Sequence, residues 1–274
     1  MILYDFFKDD TVIAGFSERS GGVSPLPENS LNLSFSREPG GNRENVLENY
    51  RIAARSLGVR TESITRMPQV HGADILCVKE LHRGMGVTRP IAPELAAHGF
   101  DGMVTDVPGI TLMTTHADCT PVLMFDPEKR AVAAVHSGWK GTCLKIASEA
   151  VKKLQTEYGS RPENIKAVIG PSICRDHFEV RRDVYEKFTA SFAEYGEIPE
   201  GMIRKVVPEG PDNDPKWLVD MRGFVKLTLL RSGLAADNIC DADICTFGRP
   251  DLFFSHRRDG AGSGAMAAFI SLKE

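Results

Sequence analysis

The pattern of hydrophobic and polar positions divides the chain into short apolar runs separated by polar turns. The longest such stretch, GITLMTTHADCTPVLMFD (residues 109–126), predicts two buried strands on either side of a polar turn. The segment AVAAVH, which follows the turn DPEK, predicts a third strand. Further strands are predicted by the segments IKAVIG, NICDADICTF and GAMAAFISL.

Helical spacing of apolar residues appears in four segments. The first covers residues 45–57, and the second is TCLKIASEAVKKLQTEYG (142–159), whose final glycine suits a helix C-terminus. Two more helices are predicted around residues 182–195 and 218–232, the latter ended by Gly233. Residues 17–44, rich in glycine, proline, serine and asparagine, are predicted to form a loop.

The order of these elements indicates the fold class. Strands and helices alternate, but strands joined by short turns are mixed in among them. This favours one α/β domain with a mixed sheet over a doubly wound parallel sheet. No internal repeat or low-complexity linker divides the chain, so we predict a single domain spanning residues 1–274.

Composition and charge narrow the class of partner. The net charge is −4, the pI is near 6.0, and there is no run of basic residues. Electrostatic binding to nucleic acid or to an anionic membrane is therefore not expected. The first residues lack a basic region followed by an apolar stretch, so we expect a cytoplasmic protein whose six cysteines are reduced.

Common catalytic signatures are missing from the sequence. It contains no dinucleotide-binding GxGxxG, no phosphate-binding Walker motif, no HExxH, no GxSxG and no zinc-deaminase pattern. Candidate chemistry must therefore be sought residue by residue.

Three residues stand out near the ends of apolar segments: His71 in PQVHGAD, Cys119 in HADCTPV and His136 at the end of AVAAVH. A His, Cys and His set with one open position suits catalytic zinc, and thiolate favours zinc or Cu(I) over harder cations. These residues lie far apart along the chain, so spacing alone does not group them. Ordinary packing and a histidine-activated cysteine nucleophile remain open as explanations.

The segment SGWKG (residues 137–141) lies between a predicted strand and a predicted helix. Backbone N–H groups at a helix start can hold an anion, and Lys140 adds positive charge there. A tight turn permitted by the glycines is the alternative explanation.

Several longer motifs follow one another between residues 16 and 267. They are FSERSGGVS with SLNLS, NVLENYR, PQVHGADI, DGMVTD, ADCTPVLMFD, AVHSGWKGT, IGPSI and FFSHRRDGAGSGAMA. In this order they resemble one family, the YfiH/YlmD group, and the match in length favours its bacterial YlmD branch. Members of the family have been described as multicopper polyphenol oxidases or laccase-domain proteins, and later as zinc-dependent purine nucleoside phosphorylases with adenosine deaminase side activity.

This resemblance implies a fold, a metal and an activity. The fold is a single α/β/β/α-layered domain, similar to a bacterial toxin class of cysteine hydrolases. The metal ligands fall on His71, Cys119 and His136, with zinc as the metal and copper as an alternative. The substrates are phosphate and a purine nucleoside, namely adenosine, inosine, guanosine or methylthioadenosine; the oligomeric state stays open.

Other roles follow if this function is correct. Asp118, next to Cys119 in the sequence, is the candidate proton carrier. Arg66, Lys140 and Gly138 are candidate substrate contacts. Two positions depart from the family. Lys140 stands where an arginine is frequent, and lysine keeps the charge but lacks the guanidinium that can bind phosphate in a bidentate manner. Ala265 stands where a final arginine is expected.

Two other enzyme classes compete with the phosphorylase interpretation. A laccase-like copper polyphenol oxidase would need several coppers, and seven histidines without a His-x-His pair supply few ligands. A cysteine-type hydrolase that edits cell-wall precursors would use Cys119 as its nucleophile. A non-enzymatic binding module is the weakest alternative.

Overall fold

The computed structural model describes residues 1–3, 6–25, 30–207 and 214–274. The strands of these ranges form two large sheets and one small sheet. In spatial order, the first sheet contains β1 (Ile2–Leu3), β2 (Val12–Phe16), β15 (Met266–Leu272), β7 (Thr111–His116) and β4 (Ile64–Thr65).

The second large sheet holds the long apolar hairpin of the sequence. In spatial order, it contains β14 (Ile239–Asp241), β10 (Lys166–Ile169), β8 (Thr120–Asp126), β9 (Ala131–Ser137), β6 (Gly102–Thr105) and β5 (Ile75–Cys77). The small third sheet contains β11 (Glu179–Val180), β13 (Lys216–Val219) and β12 (Ile203–Val206). A further strand, β3 (Ser20–Ser24), is linked by single bridges to Ser30.

The helices lie outside these sheets. They are α1 (Arg43–Leu57), α2 (Pro93–His98), α3 (Trp139–Cys143), α4 (Ile146–Tyr158), α5 (Arg182–Phe192), α6 (Met221–Arg231) and α7 (His256–Asp259). No helix among the described residues is both long enough and apolar enough to cross a lipid bilayer.

The two large sheets pack face to face, and the alternation of side chains shows why. On β15, Ala268 and Ile270 join the core between the sheets, whereas Phe269 points outward to pack beneath α1. On β9, Ala134 joins the same central core, whereas Ala133 packs beneath α4. Because both faces of β9 and β15 are buried, these two strands consist mostly of apolar residues. The layers are helix, sheet, sheet and helix, which confirms the α/β/β/α arrangement.

Both large sheets are mixed, as predicted. Strands β8 and β9 form an antiparallel hairpin, while β10 and β14 are parallel. In the first sheet, β15 is antiparallel to both β2 and β7, but β4 and β7 are parallel. The predicted strands at AVAAVH, IKAVIG and GAMAAFISL are confirmed, as are the helices near 45–57 and 182–195. The helix predicted at 142–159 is interrupted, because α3 ends at Cys143, Lys145 adopts a left-handed conformation with a φ of 58°, and α4 begins only at Ile146.

Three predictions differ in extent. The helix expected at 218–232 covers Met221–Arg231, because residues 216–219 pair as β13 and Asp220 then caps the helix through Gly223 N. The strand expected across NICDADICTF covers only Ile239–Asp241, because its neighbouring strand β10 is only four residues long. The loop expected at 17–44 includes β3, the start of α1 and two short 3-10 turns, and its residues 26–29 lie outside the described ranges.

The Asp220 cap yields a stability prediction. Asp220→Ala removes the oxygen that accepts the Gly223 N–H, so we expect unfolding free energy to fall by about 1 kcal/mol. Urea denaturation measures this change. Asp237→Ala, in the first turn of a short 3-10 helix without a side-chain cap, is the control and should stay near wild type. Equal stability of both variants would contradict the capping role.

Candidate metal centre

Three elements bring His71, Cys119 and His136 together. The chain leaves the first sheet at the end of β7 and enters the second at the start of β8, and Cys119 lies in this crossing turn. The hairpin register pairs Thr120 with Ser137 and Pro121 with His136, which places Cys119 beside the end of β9. His71 comes from the loop between β4 and β5.

The three side chains converge on one point. Their ligand atoms, the Sγ of Cys119 and one ring nitrogen of each histidine, all lie within 4.8 Å of one another. The ring centroids of His71 and His136 are 4.9 Å apart, and the two rings are nearly perpendicular. His136 is buried, Cys119 is half-buried and His71 is exposed, so the cluster opens toward solvent on one side. The geometry therefore fits a three-ligand metal site with an open position.

Asp101 orients two of these residues, although no sequence pattern singled it out as a candidate. Its fully buried carboxylate accepts a 2.7 Å hydrogen bond from His136 Nδ1 and three from the backbone N–H groups of Val70, His71 and Gly72. With Nδ1 engaged, Nε2 is the nitrogen that His136 can offer to a ligand. A carboxylate behind a histidine is the usual support of a metal ligand. The available signal was the motif DGMVTD, which begins at Asp101.

Charge within the cluster favours a thiolate. Burial alone would raise the pKa of Cys119, but the charge of His136 and hydrogen bonds from both histidines outweigh it and lower that pKa. Burial likewise opposes the charging of His136, yet the Cys119 thiolate and the Asp101 carboxylate raise its pKa. Thiolate is the form of cysteine that binds metals and attacks electrophiles.

Backbone strain is concentrated at the same place. His71 and Asp118 adopt positive φ angles of 59° and 89°, a region that non-glycine residues rarely occupy. The hydrogen bonds from residues 70–72 to Asp101 hold the first of these conformations in place. Strain of this kind persists where surrounding contacts fix it, and it is frequent at functional sites.

Gly138 leaves space for the cluster. A Cβ at this position would lie 2.6 Å from His71 Nδ1 and 3.3 Å from Cys119 Sγ. The residue immediately precedes α3 and is buried. Its predicted role as a substrate contact stays a prediction, while its proximity to two cluster residues explains why glycine is needed there.

A cavity of about 410 Å³ lies over the cluster. This volume is in the range of small-molecule sites. One part of its wall is apolar and includes two aromatic rings, and another part carries cationic side chains and His256. The lining consists of Arg37, Val70, His71, Ala117, Asp118, Cys119, Trp139, Lys140, Ile173, Phe178, Met221, His256 and Arg257.

The structure places one of the two predicted cationic substrate contacts at the cavity and the other outside its lining. Lys140 is exposed and lines the cavity. Arg66 is not among the lining residues, and its guanidinium lies 5.7 Å from the ring of Phe35. Arg37, which the sequence analysis missed, lines the cavity and donates to the carbonyl of Ser263. Ala265 is buried and its N–H donates to Asn32, so this position offers the cavity no cation.

Asp118 lines the cavity, and its carboxylate is already well supplied with donors. It accepts hydrogen bonds from the hydroxyls of Thr246 and Ser255 and from the backbone N–H of Arg257. These contacts attach the crossing turn to the segment that presents Arg257 to the cavity. The role of Asp118 as a proton carrier stays a prediction.

Comparison with known proteins agrees with this fold and shows the family. A family described as multi-copper polyphenol oxidoreductase laccase matches residues 13–273. The chain belongs to this family. Within it, the chain is similar to the crystal structure of YlmD from Geobacillus stearothermophilus, with a TM-score of 0.82 and 31% identity over 97% of this chain and 93% of that one.

Curated relatives in the laccase family carry enzyme names. The Mus musculus protein named purine nucleoside phosphorylase LACC1 is 33% identical over 97% of this chain, which spans only 56% of that relative. The Bacillus subtilis protein named purine nucleoside phosphorylase YlmD is 32% identical over 96% of this chain and 89% of its own length. A protein from an unknown prokaryote named adenosine deaminase RL5 is 30% identical over 95% of this chain and 94% of its own.

A substitution at Gly138 tests the space around the cluster. In Gly138→Ala the new methyl group must displace His71 or Cys119, so we expect zinc affinity to fall by roughly tenfold or more. Competition with a chromophoric chelator measures the affinity. Gly72→Ala is the matched control, because its added Cβ meets only ordinary contacts at 3.6 and 3.7 Å. Unchanged affinity in Gly138→Ala would contradict the assignment.

A second substitution tests the support by Asp101. Asp101→Asn removes the negative charge behind His136, and we expect zinc affinity to fall roughly 10- to 100-fold. The same chelator competition provides the value, and circular dichroism shows whether the fold is retained. Asp106→Asn, an exposed change at the other end of the same motif, serves as control. A folded Asp101→Asn variant with wild-type affinity would show that the carboxylate does not support the metal.

Proposed function

We propose that this protein is a zinc-dependent purine nucleoside phosphorylase that also deaminates adenosine. The observation that carries the proposal is the convergence of His71, Cys119 and His136, with His71 and Cys119 lining a cavity of about 410 Å³. The names of the relatives point to the same two reactions.

The donor set suits the proposed metal. One thiolate and two imidazoles form a mixed sulfur and nitrogen set that fits zinc, and Asp101 fixes one imidazole from behind. Zinc bound by the three residues would supply Lewis acidity to an oxygen of the substrate or of water. Copper prefers many of the same ligands, so metal content belongs in any test of the proposal.

The cavity wall supplies the other requirements of phosphorolysis. In this reaction a phosphate oxygen forms a bond to C1′ of the ribose, the bond from C1′ to the purine nitrogen breaks, and the purine takes up a proton. Arg37, Lys140 and Arg257 place positive charge around the opening, which suits phosphate. Trp139 and Phe178 offer aromatic faces for a purine ring.

Substrate range and proton transfer are the finer parts of the proposal. We propose adenosine, inosine, guanosine and methylthioadenosine as substrates, because the family resemblance implies them and the cavity volume of about 410 Å³ is in the range of small-molecule sites. Asp118 is the proposed proton carrier because it lines the cavity next to Cys119. The same carboxylate keeps the backbone of Arg257 in place.

Substitution of the thiolate tests this function. In Cys119→Ser we expect loss of the zinc ion held by His71, Cys119 and His136, and a fall of roughly 100-fold or more in phosphate-dependent ribose 1-phosphate release from inosine. Elemental analysis and product analysis, with and without phosphate, provide both readouts. Conversion of adenosine to inosine in the absence of phosphate measures the deaminase reaction.

Cys143→Ser is the matched control, because Cys143 is half-buried and does not line the cavity. It should keep wild-type zinc content and turnover. Wild-type phosphorolysis by Cys119→Ser would refute the ligand assignment. Copper-loaded protein that oxidises phenols would favour the oxidase, and amide hydrolysis that survives zinc removal but not alkylation of Cys119 would favour the hydrolase.

A further inference from the structure

A second group of metal-ligand side chains lies beside the cavity, on residues that the first cluster does not use. Cys174 and His177 belong to a turn that follows β10, and Cys245 follows β14. The Sγ of Cys174 is 3.1 Å from His177 Nδ1, and the Sγ of Cys245 is 3.4 Å from the same nitrogen. All three ligand atoms lie within 4.8 Å of one another, and all three residues are half-buried.

These distances are close to those of a tetrahedral zinc site. With zinc to sulfur bonds of about 2.3 Å and zinc to nitrogen bonds of about 2.0 Å, sulfur and nitrogen ligands lie roughly 3.5 Å apart. The two observed separations need to change by only a few tenths of an ångström. Because one nitrogen approaches both sulfurs, the arrangement differs from a disulfide, in which the two sulfurs bond directly and histidine has no part.

Contacts of the backbone and of one ring fix the positions of the three ligands. Ser172 N donates to Ile244 O, and Thr246 N donates back to Ser172 O, so the two segments run side by side. The ring of His177 stacks on Phe247 with centroids 4.3 Å apart. A site whose ligands are fixed in advance loses little conformational entropy when it binds an ion.

We propose that Cys174, His177 and Cys245 bind a second zinc ion, with the fourth coordination position open to solvent. Two thiolates and one imidazole select a thiophilic cation over magnesium or calcium. The ion links the segment after β10 to the segment after β14. It thereby strengthens one wall of the cavity, because Ile173 and Phe178 line that cavity on either side of the ligand turn.

The site also connects to the cationic part of the wall. Arg257 lines the cavity, and its guanidinium donates to the carbonyl oxygens of His177 and Glu179. Anchoring His177 therefore limits the movement of the groups that hold Arg257. The proposal concerns metal binding by this chain and does not depend on which reaction the cavity catalyses.

Metal stoichiometry separates the two sites. Full-length wild-type protein, stripped with chelator, reloaded with zinc and desalted, should hold two zinc ions per chain. Cys119→Ser should hold one, and Cys119→Ser combined with Cys174→Ser and Cys245→Ser should hold none. The matched control combines Cys119→Ser with Cys143→Ser and Cys240→Ser, two half-buried cysteines outside both clusters, and should keep one ion.

If the triple variant fails to fold, alkylation of Cys174 and Cys245 in the Cys119→Ser protein provides an independent test. In Cys119→Ser, zinc should slow labelling of Cys174 and Cys245 by iodoacetamide while leaving Cys143 and Cys240 unaffected, as peptide mass spectrometry measures. Absence of bound zinc in folded Cys119→Ser, or equal labelling with and without zinc, would overturn the proposal. So would a Cys174–Cys245 disulfide in protein purified under reducing conditions.

Discussion

The buried carboxylate of Asp101 is the contact on which the candidate site depends. A carboxylate with no exposure is costly unless its oxygens are fully hydrogen-bonded, and here three backbone N–H groups and one imidazole provide the donors. These donors come from the loop of His71 and from strand β9. Asp101 thus fixes both the strained loop and the orientation of His136. Burial would raise the pKa of Asp101, but hydrogen bonds from His136 and the backbone outweigh it and lower that pKa, so the carboxylate is ionised.

The packed sheets supply the rigidity that this carboxylate requires. Asp101 immediately precedes β6, which pairs with β9, so its position is set by the same sheet that carries His136. Cys119 lies where the chain passes from one sheet to the other, at an edge that the central core cannot cover. Polar side chains are tolerated there, and the cavity forms at that edge.

Interactions across the cavity also connect distant parts of the chain. The carboxylate of Asp118 accepts from Thr246, Ser255 and Arg257, so the crossing turn and the C-terminal segment hold each other. The segment that carries Thr246 also carries Cys245, and it runs beside the segment of Cys174 and His177. The cavity wall is therefore formed by loops and the first residues of helices, joined in part by polar contacts, in contrast to the apolar interior of the sheets.

Apolar periodicity predicted the strands β7, β8, β9, β10 and β15, the helices α1 and α5 and the mixed α/β class, because it reports directly which faces are buried. It did not predict β2, β6 or the small third sheet. Residue type made His71, Cys119 and His136 candidates, and the family resemblance grouped them as ligands, since their spacing along the chain does not. Only the tertiary structure selected Asp101, excluded Arg66 from the cavity lining and brought Cys174, His177 and Cys245 together. Those relations join residues from separate loops and strands, and their distances are set by sheet register and layer packing, which local sequence patterns do not encode.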